Sequence, residues 1–390
     1  MPSDSLYLDF NSGAPMRPEV LEVWVRAARD APANPASLHR PGRRAQAVVE
    51  EARSRVAELL RCPAREIVFT SGATEGNNLA LLGAARGRAR LRGAPPALMS
   101  SRAEHPSVLG PLRSLQQEGH ALVLAPLDRS ARADTRALLD ALHERRGGIL
   151  ACQWANNETG AVQDLEALVA DLPADTHFHC DAVQGFGKLP PPAALSAAHT
   201  LVLSAHKLGG PKGTGVLRVR EDAFLEPVLS GGGQQRNLRP GTESPAAAAA
   251  CAEALALALR AQDAFARHTA AACRRLLQHV REDFPLVQVN SPDETEPRLP
   301  NTLSLSFPGV DGRALLLACD AEGLALSSGS ACASGAAQPS AVLRAAGLSE
   351  ELARATLRVS FGWGQSEEEG ELAAARLRVV LRRLYQLADP

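Results

Sequence analysis

TLVLSAHKLGGPKGTGVLRVR, residues 200–220, reads as a strand, a polar turn and a second strand. TLVLSA is a short, almost unbroken apolar run, the pattern of a strand buried on both faces. GVLRVR resumes a strand after a glycine-rich turn. His206 and Lys207 stand at the carboxyl end of the first strand, and Lys212 follows five positions on. The turn lacks the G-x-x-x-x-G-K-[ST] order of a nucleotide-binding P-loop, so its lysines need another explanation.

Outward from this stretch the same unit repeats. REIVFT (65–70) precedes a helical run from Ala73 to Ala85, and PALMSS (96–101) precedes a helix through Leu115. ALVLAPL (121–127) precedes TRALLDALHERR, and GILACQW (148–154) and THFHCD (176–181) extend the series. Repeated β–α units predict an α/β fold: a large domain with a mostly parallel seven-stranded sheet flanked by helices. Residues 244–282 predict one long Ala/Leu-rich helical stretch leading to a smaller α+β domain. That domain is read from LSLSF (303–307), GRALLLACDAEG, TLRVSF (356–361) and an amphipathic helix from Glu367. The expected division is 15–260 for the large domain, with 1–14 and 261–390 forming the small one.

Composition narrows the function. With 42 basic and 43 acidic residues the net charge is −1, so no nucleic-acid or anionic-membrane partner is expected. RGRARLR (86–92) is interrupted by Gly and Ala and reads as a solvated surface turn rather than a polyanion site. There is no apolar run of about 20 residues, and MPSDSLYLDF has no secretory pattern, which predicts a cytoplasmic protein. The seven cysteines include no C-x-x-C pair and no metal-ligand spacing. Cys152, Cys180, Cys251, Cys273 and Cys319 lie in apolar runs and read as core, and Cys62, before Pro63, as a turn residue.

The polar residues cluster where strands end. Ser71-Gly72-Ala73-Thr74-Glu75 follows REIVFT, and Glu104-His105 follows PALMSS. Asn156-Asn157-Glu158-Thr159-Gly160 follows GILACQW, Asp181-Ala182-Val183-Gln184 follows THFHC, and His206-Lys207 follows TLVLSA. In a doubly wound sheet, ligands sit beyond the carboxyl ends of the strands. Free N–H groups at a helix start suit a phosphate, and a Lys and an Asp one β–α–β step apart can reach one ring. That is the set pyridoxal phosphate (PLP) requires: a Schiff-base lysine, an acid at the pyridine nitrogen and phosphate donors.

The motifs YLDFNSGAP, NPASLHRPGRRA, EIVFTSGATEGNNLAL, EHPSVL, ANNETG, HCDAVQGFGK, SAHKLGGPKGTG, GGGQQRNLRPGTES, RLPNTLSLSF, SSGSACASG and LRVSFG occur in this order over nearly the whole chain. Together they resemble the PLP-dependent cysteine desulfurases. These are class-V aminotransferases of fold type I, and this group carries the full-length GSAC loop that serves iron–sulfur cluster assembly. The resemblance implies that Lys207 is the Schiff-base lysine, Asp181 the pyridine partner, Gln184 the donor to the phenolic oxygen and His105 the ring-stacking acid/base. Ala73, Thr74, Ser204 and His206 match phosphate contacts, and Thr242 one supplied by the second subunit of a homodimer. Asn156, itself also a cofactor contact, Arg358 and Asn34 match the substrate carboxylate site.

Cys332, in the small-residue run SSGSACASG, matches the nucleophile that takes sulfur from L-cysteine, leaving alanine and a persulfide for an acceptor protein. No resident metal is implied, and Cys332 would share a cluster only in transit. The chain departs from the family pattern at Gln235 and Pro240, in DFNSGAP and in LDRSARADTRALL. Members that dock a cluster scaffold extend beyond the LYQLADP at which this sequence stops, which leaves room for a dedicated acceptor: another scaffold, a tRNA-thiolation relay or a pathway-specific sulfur carrier. A selenocysteine lyase or another class-V PLP enzyme is the alternative reading.

Overall fold

A computed structural model describes residues 5–328 and 339–388. The chain begins with a two-residue strand, β1 (Leu6–Tyr7), and two helices, α1 (Pro18–Asp30) and α2 (Arg40–Leu60). Strands and helices then alternate: β2 (Ile67–Thr70), α3 (Ala73–Arg92), β3 (Leu98–Ser101), α4 (Pro106–Gln117), β4 (Leu122–Ala125), α5 (Thr135–Glu144), β5 (Gly148–Ala151), α6 (Leu165–Ala170) and β6 (Thr176–Asp181). Next come β7 (Thr200–Ser204) and β8 (Gly215–Val219), joined by a tight turn. Two helices follow, α7 (Pro245–Arg260) and α8 (Gln262–Asp283). The remainder comprises β9 (Gln288–Val289), β10 (Thr302–Ser306), α9 (Gly312–Ala321), β11 (Leu324–Ala325), α10 (Ala341–Ala345), α11 (Glu350–Arg354), β12 (Thr356–Ser360) and α12 (Glu367–Ala388).

The seven-stranded sheet has the order β2-β8-β7-β6-β5-β3-β4. Only β8 runs against its neighbours, pairing antiparallel with both β2 and β7. The two strands beside it therefore run the same way. Gly215 lies opposite both Thr70 and Ser204, so the carboxyl ends of β2 and β7 fall on one edge of the sheet. Chain order reverses between β3 and β5, which opens the crevice where open α/β sheets bind ligands. One apolar core contains Ala52, Leu138, Phe178 and Leu255, and a second contains Leu81, Leu112, Ile149 and Leu217. Layers on both faces explain why the central strands read as continuous apolar runs.

A third core surrounds the antiparallel sheet β12-β10-β9 and joins Leu8, Leu276, Phe307, Leu315 and Leu377. Here α8 packs along α12. The N-terminal segment belongs to this core as well: β1 pairs with β11, and Asp9 bridges to Ser360.

Two expectations are corrected. The helical stretch 244–282 is two helices, broken where Ala261 adopts φ −92°, ψ 0°. The break lets α7 pack on α1 and α2 while α8 packs on α12. RGRARLR is no surface turn. It is the last part of α3, and Arg88 and Arg92 both pair with Asp175. Gly87 lets this part of the helix lie close against Phe224, where a Cβ would come to 2.8 Å from the ring and 3.0 Å from the carbonyl oxygen.

Candidate active site

Five strand ends deliver side chains to one edge of the sheet. Asp181 is the last residue of β6, and Lys207 ends the single 3-10 turn after β7. His105 is the N-cap of α4, and Asn156 lies in the turn after β5. Gly72 is the N-cap of α3 and provides no side-chain cap. The first N–H groups of this 20-residue helix are therefore left without an intrahelical or capping partner.

Asp181 is 8% exposed and anchored by both oxygens. Oδ1 accepts the Val183 N–H at 3.1 Å, and Oδ2 accepts from Asn77 Nδ2 at 2.9 Å. The same Asn77 nitrogen donates to Ser107 Oγ at 2.9 Å, and Asn77 Oδ1 faces His179 Nε2 at 2.9 Å. Ser107 Oγ in turn contacts His105 Nδ1 at 2.7 Å, and that nitrogen also accepts the Ser107 backbone N–H at 3.1 Å. A backbone N–H only donates, so Nδ1 is an acceptor and the neutral ring carries its proton on Nε2. Burial lowers the His105 pKa, with Asp181 pulling it up and Lys207 pushing it down, so all three groups share one electrostatic environment. Burial lowers the pKa of His179 to about 3, and His179 stands in the network as a neutral imidazole.

Lys207 Nζ donates to the carbonyls of Asn11 and Ser12, both at 2.8 Å. Gln184 Nε2 donates to the same Asn11 carbonyl at 2.9 Å. At the same strand end as Lys207, Ser204 Oγ contacts His206 Nδ1 at 2.8 Å. Burial first, then the charges of Lys207 and Lys212, bring His206 down to about 4 and keep it neutral.

The Arg358 end is assembled from distant segments. Arg358 is 2% exposed, and its NH2 nitrogen donates to Asp9 Oδ1 at 2.7 Å and Ser12 Oγ at 2.5 Å. Its Nε is buried with no hydrogen-bond partner among the described residues. Asn156 is fully buried, and its Oδ1 accepts the backbone N–H groups of Glu158 and Thr159 at 2.8 and 2.9 Å. Its Nδ2 donates to the Ala103 carbonyl at 3.0 Å, tying this turn to the segment before His105. Burial pushes the Glu158 carboxyl up to about 7, and its Oε2 is bonded to Ser340 Oγ. Ser327 pairs with Arg358 through the backbone.

The expected residues divide accordingly. Lys207, Asp181, His105, Gln184, Ser204, His206 and Asn156 line one edge, with Ala73 at the uncapped helix start. Thr74 and Thr242 are exposed. Asn34 is also exposed, and its Oδ1 accepts the Ala36 N–H within its own turn. Cys332 lies outside the described residues. Its flanking anchors, Ser327 and Ser340, are bonded to Arg358 and Glu158 at the carboxylate end. The sequence reading passed over Asp9, Asn11, Ser12 and Asn77. Asn77 sits in the quoted GATEGNN motif, but its side-chain partners are 30, 102 and 104 residues away. Gln235, one departure from the family pattern, accepts the Phe69 N–H and an Arg53 bond at 2.9 and 3.0 Å, covering the edge of β2.

This donor set fits pyridoxal phosphate. A Cβ at Gly215 would lie 2.8 Å from Gly72 Cα, so glycine there is what seats the α3 start directly over the β7–β8 edge. Ser204 Oγ would be 3.9 Å from a Cβ at Gly72, which puts a hydroxyl beside the uncapped N–H groups. Dipole and donors together suit a phosphate dianion. The carboxylate of Asp181 and the amine of Lys207 supply the other two groups the cofactor needs.

The aminotransferase class-V family model matches residues 6–372. The cysteine desulfurase IscS of Photobacterium profundum is 36% identical, over 98% of this chain and 94% of that protein. A solved NifS-like protein matches with a TM-score of 0.89 at 28% identity, covering 97% of this chain and all of that one (100%). The structure of SspA in complex with cysteine matches with a TM-score of 0.77 at 30% identity, over 91% of this chain and 98% of that chain. The chain therefore belongs to the aminotransferase class-V family, on the branch whose curated members over this length are named cysteine desulfurases.

Proposed function

We propose that this chain is a cysteine desulfurase that uses pyridoxal phosphate to move sulfur from L-cysteine to Cys332. The observation that carries the reading is the convergence of Lys207, Asp181 and His105 beside the uncapped start of α3. Arg358, whose buried Nε has no partner among the described residues, stands at the far end. The relatives' names and the cysteine held by SspA support the substrate.

The backbone at Ala73 and Thr74, with Ser204 and His206, would hold the phosphate, joined by Thr242 of the partner subunit in a homodimer. Asp181 would accept the pyridinium N–H, Gln184 Nε2 would donate to the phenolic oxygen, and His105 would cover one face. When bound, the cofactor serves as the electron sink that lets a Cα–H bond break. Lys207 Nζ is the base placed to receive that proton. Arg358 and the Asn156 turn bind the substrate carboxylate, the arginine through its planar fork. His105, held with its proton on Nε2, enters as a donor and must pass that proton on before it can accept one. The Cys332 thiolate attacks the substrate sulfur and forms an S–S bond. The C–S bond breaks with its electron pair left on carbon, and protonation there, with return of the Cα proton from Lys207, gives alanine. The persulfide passes to an acceptor protein.

Cysteine supplied to the PLP-loaded protein should yield alanine and Cys332-bound sulfur in equal amounts. Cys332→Ala should keep its yellow colour and form no sulfide. Alanine production at the full rate by that variant would refute the nucleophile assignment.

A further inference from the structure

We propose that Lys188 is a positioning residue of this site, one that fixes the direction of the Gln184 amide and places a buried positive charge beside Lys207. The inference rests on the cofactor reading above, because Gln184 Nε2 is the donor that reading assigns to the phenolic oxygen.

Lys188 lies four residues after Gln184, in the turn that follows β6, and is 4% exposed. Its Nζ donates to Gln184 Oε1 at 2.6 Å and to Asn11 Oδ1 at 2.9 Å. Among the described residues no carboxylate comes within ion-pair distance of it. An ammonium only donates, so the Gln184 atom facing it must be the oxygen. Gln184 Nε2 is thereby turned to the opposite side, where it reaches the Asn11 carbonyl that also receives Lys207 Nζ. The Lys188 ammonium and the Asn11 carbonyl thus fix the amide from its two sides, and without Lys188 only the carbonyl would still oppose a reversal that presents an acceptor where the site needs a donor.

The second partner sharpens the argument. Asn11 Oδ1 accepts from Lys188 and from Asn301 Nδ2, while Asn11 Nδ2 reaches Thr302 Oγ1 and the Asn157 carbonyl. Lys188 therefore also holds in place the backbone carbonyl on which Lys207 rests. A buried ammonium with only amide acceptors is an expensive way to fill space, and a methionine would pack there without that desolvation cost. Burial, then the like charges of Lys207 and Arg358, bring the Lys188 ammonium down to about 7. The charge it places beside Lys207 is therefore one that changes in the neutral range.

Lys188→Met and Lys188→Arg test this in two states of the protein. In the apoprotein the folded pKa is depressed, so the unfolded chain binds more protons between about 7 and the ordinary lysine value. Stability should therefore rise with pH across that window in the native protein, be fully present above it, and be lost as pH falls through about 7. The melting temperature of native protein relative to Lys188→Met should climb from pH 7 to pH 10. In the cofactor-loaded protein, the pH at which the visible absorbance changes should move up by about one unit in Lys188→Met and stay or move down in Lys188→Arg.

Equal loss of melting temperature in both variants, with no pH-dependent difference and no spectral shift, would mean that Lys188 only packs and would overturn the proposal. Should Lys188→Met not fold, Gln184→Glu supplies a counter-ion, and the alkaline climb should disappear. Failure of the native protein to take up pyridoxal phosphate would sink the cofactor reading, while the apoprotein titration would still report on the buried charge.

Discussion

The two ends of the candidate site are built in different ways. At the cofactor end, every group stands at or just beyond a strand end of one sheet: Gly72 after β2, His105 after β3, Asp181 on β6, Ser204 and Lys207 at β7. At the carboxylate end, Arg358 bonds to Asp9 and Ser12, 349 and 346 residues away, and Ser340 bonds to Glu158, 182 residues away. The first end is positioned by strand register and helix starts, the second by side chains crossing between cores. The ends also differ in titration. His179 and His206 lie at about 3 and 4, below the neutral range, whereas Glu158 at the far end lies at about 7, as does Lys188 beside Gln184. Neutral-pH dependence should therefore come from Glu158 and Lys188 rather than from these two histidines.

The largest expected effect falls on the cofactor end. Lys207→Ala should lower cysteine turnover by about 10³-fold or more, since it removes the proposed proton acceptor and cofactor attachment, read as the rate of alanine formation. Normal turnover would break the assignment. Arg358→Met should act mainly on substrate affinity, raising KM by about 10²-fold with a smaller change in kcat. It should also destabilise the fold by about 3 kcal/mol, because Asp9 loses the partner of a largely buried ion pair, which denaturant unfolding would measure. A change confined to kcat would shift Arg358 from substrate binding to chemistry.

Asn77→Leu removes the donor shared by Asp181 and Ser107, and a cost of about 2 kcal/mol is expected. Pyridoxal phosphate should then be released about tenfold faster, as followed by absorbance. Glu158→Gln tests the pH contrast. The folded Glu158 pKa is raised, so its contribution is present below about 4.5 and lost as pH rises through about 7. The melting temperature of Glu158→Gln relative to native protein should grow between pH 5 and pH 8, and a flat difference would erase the contrast. Lys212→Ala should be the smallest, within about 0.5 kcal/mol and with activity unchanged, because Lys212 is exposed in a turn.

The same contrast decides what could be read in advance. Runs of six or seven residues marked all seven strands of the large sheet, and polar clusters followed five of them. The long helix expected across 244–282 failed because Ala261 carries no breaking signal; two cores pulling on its two halves break it there. Arg86–Arg92 read as a solvated turn because nothing local announces Asp175, its partner across the fold. Asn34 and Thr242 are exposed within one chain, and the contacts proposed for them are tests of a dimer rather than of this fold.

By itself the sequence determined the α/β sheet, the edge on which its polar groups collect, and Lys207 rather than Lys212 as the lysine at a strand end. These depend on periodicities and strand ends, which are local. Only the tertiary structure decided that Asn77 ties Asp181 to His105, that Asp9 and Ser12 hold Arg358, and that Lys188 bonds the oxygen of the Gln184 amide. Hydrogen-bond direction and burial arise between segments far apart in the chain, and no local pattern encodes them.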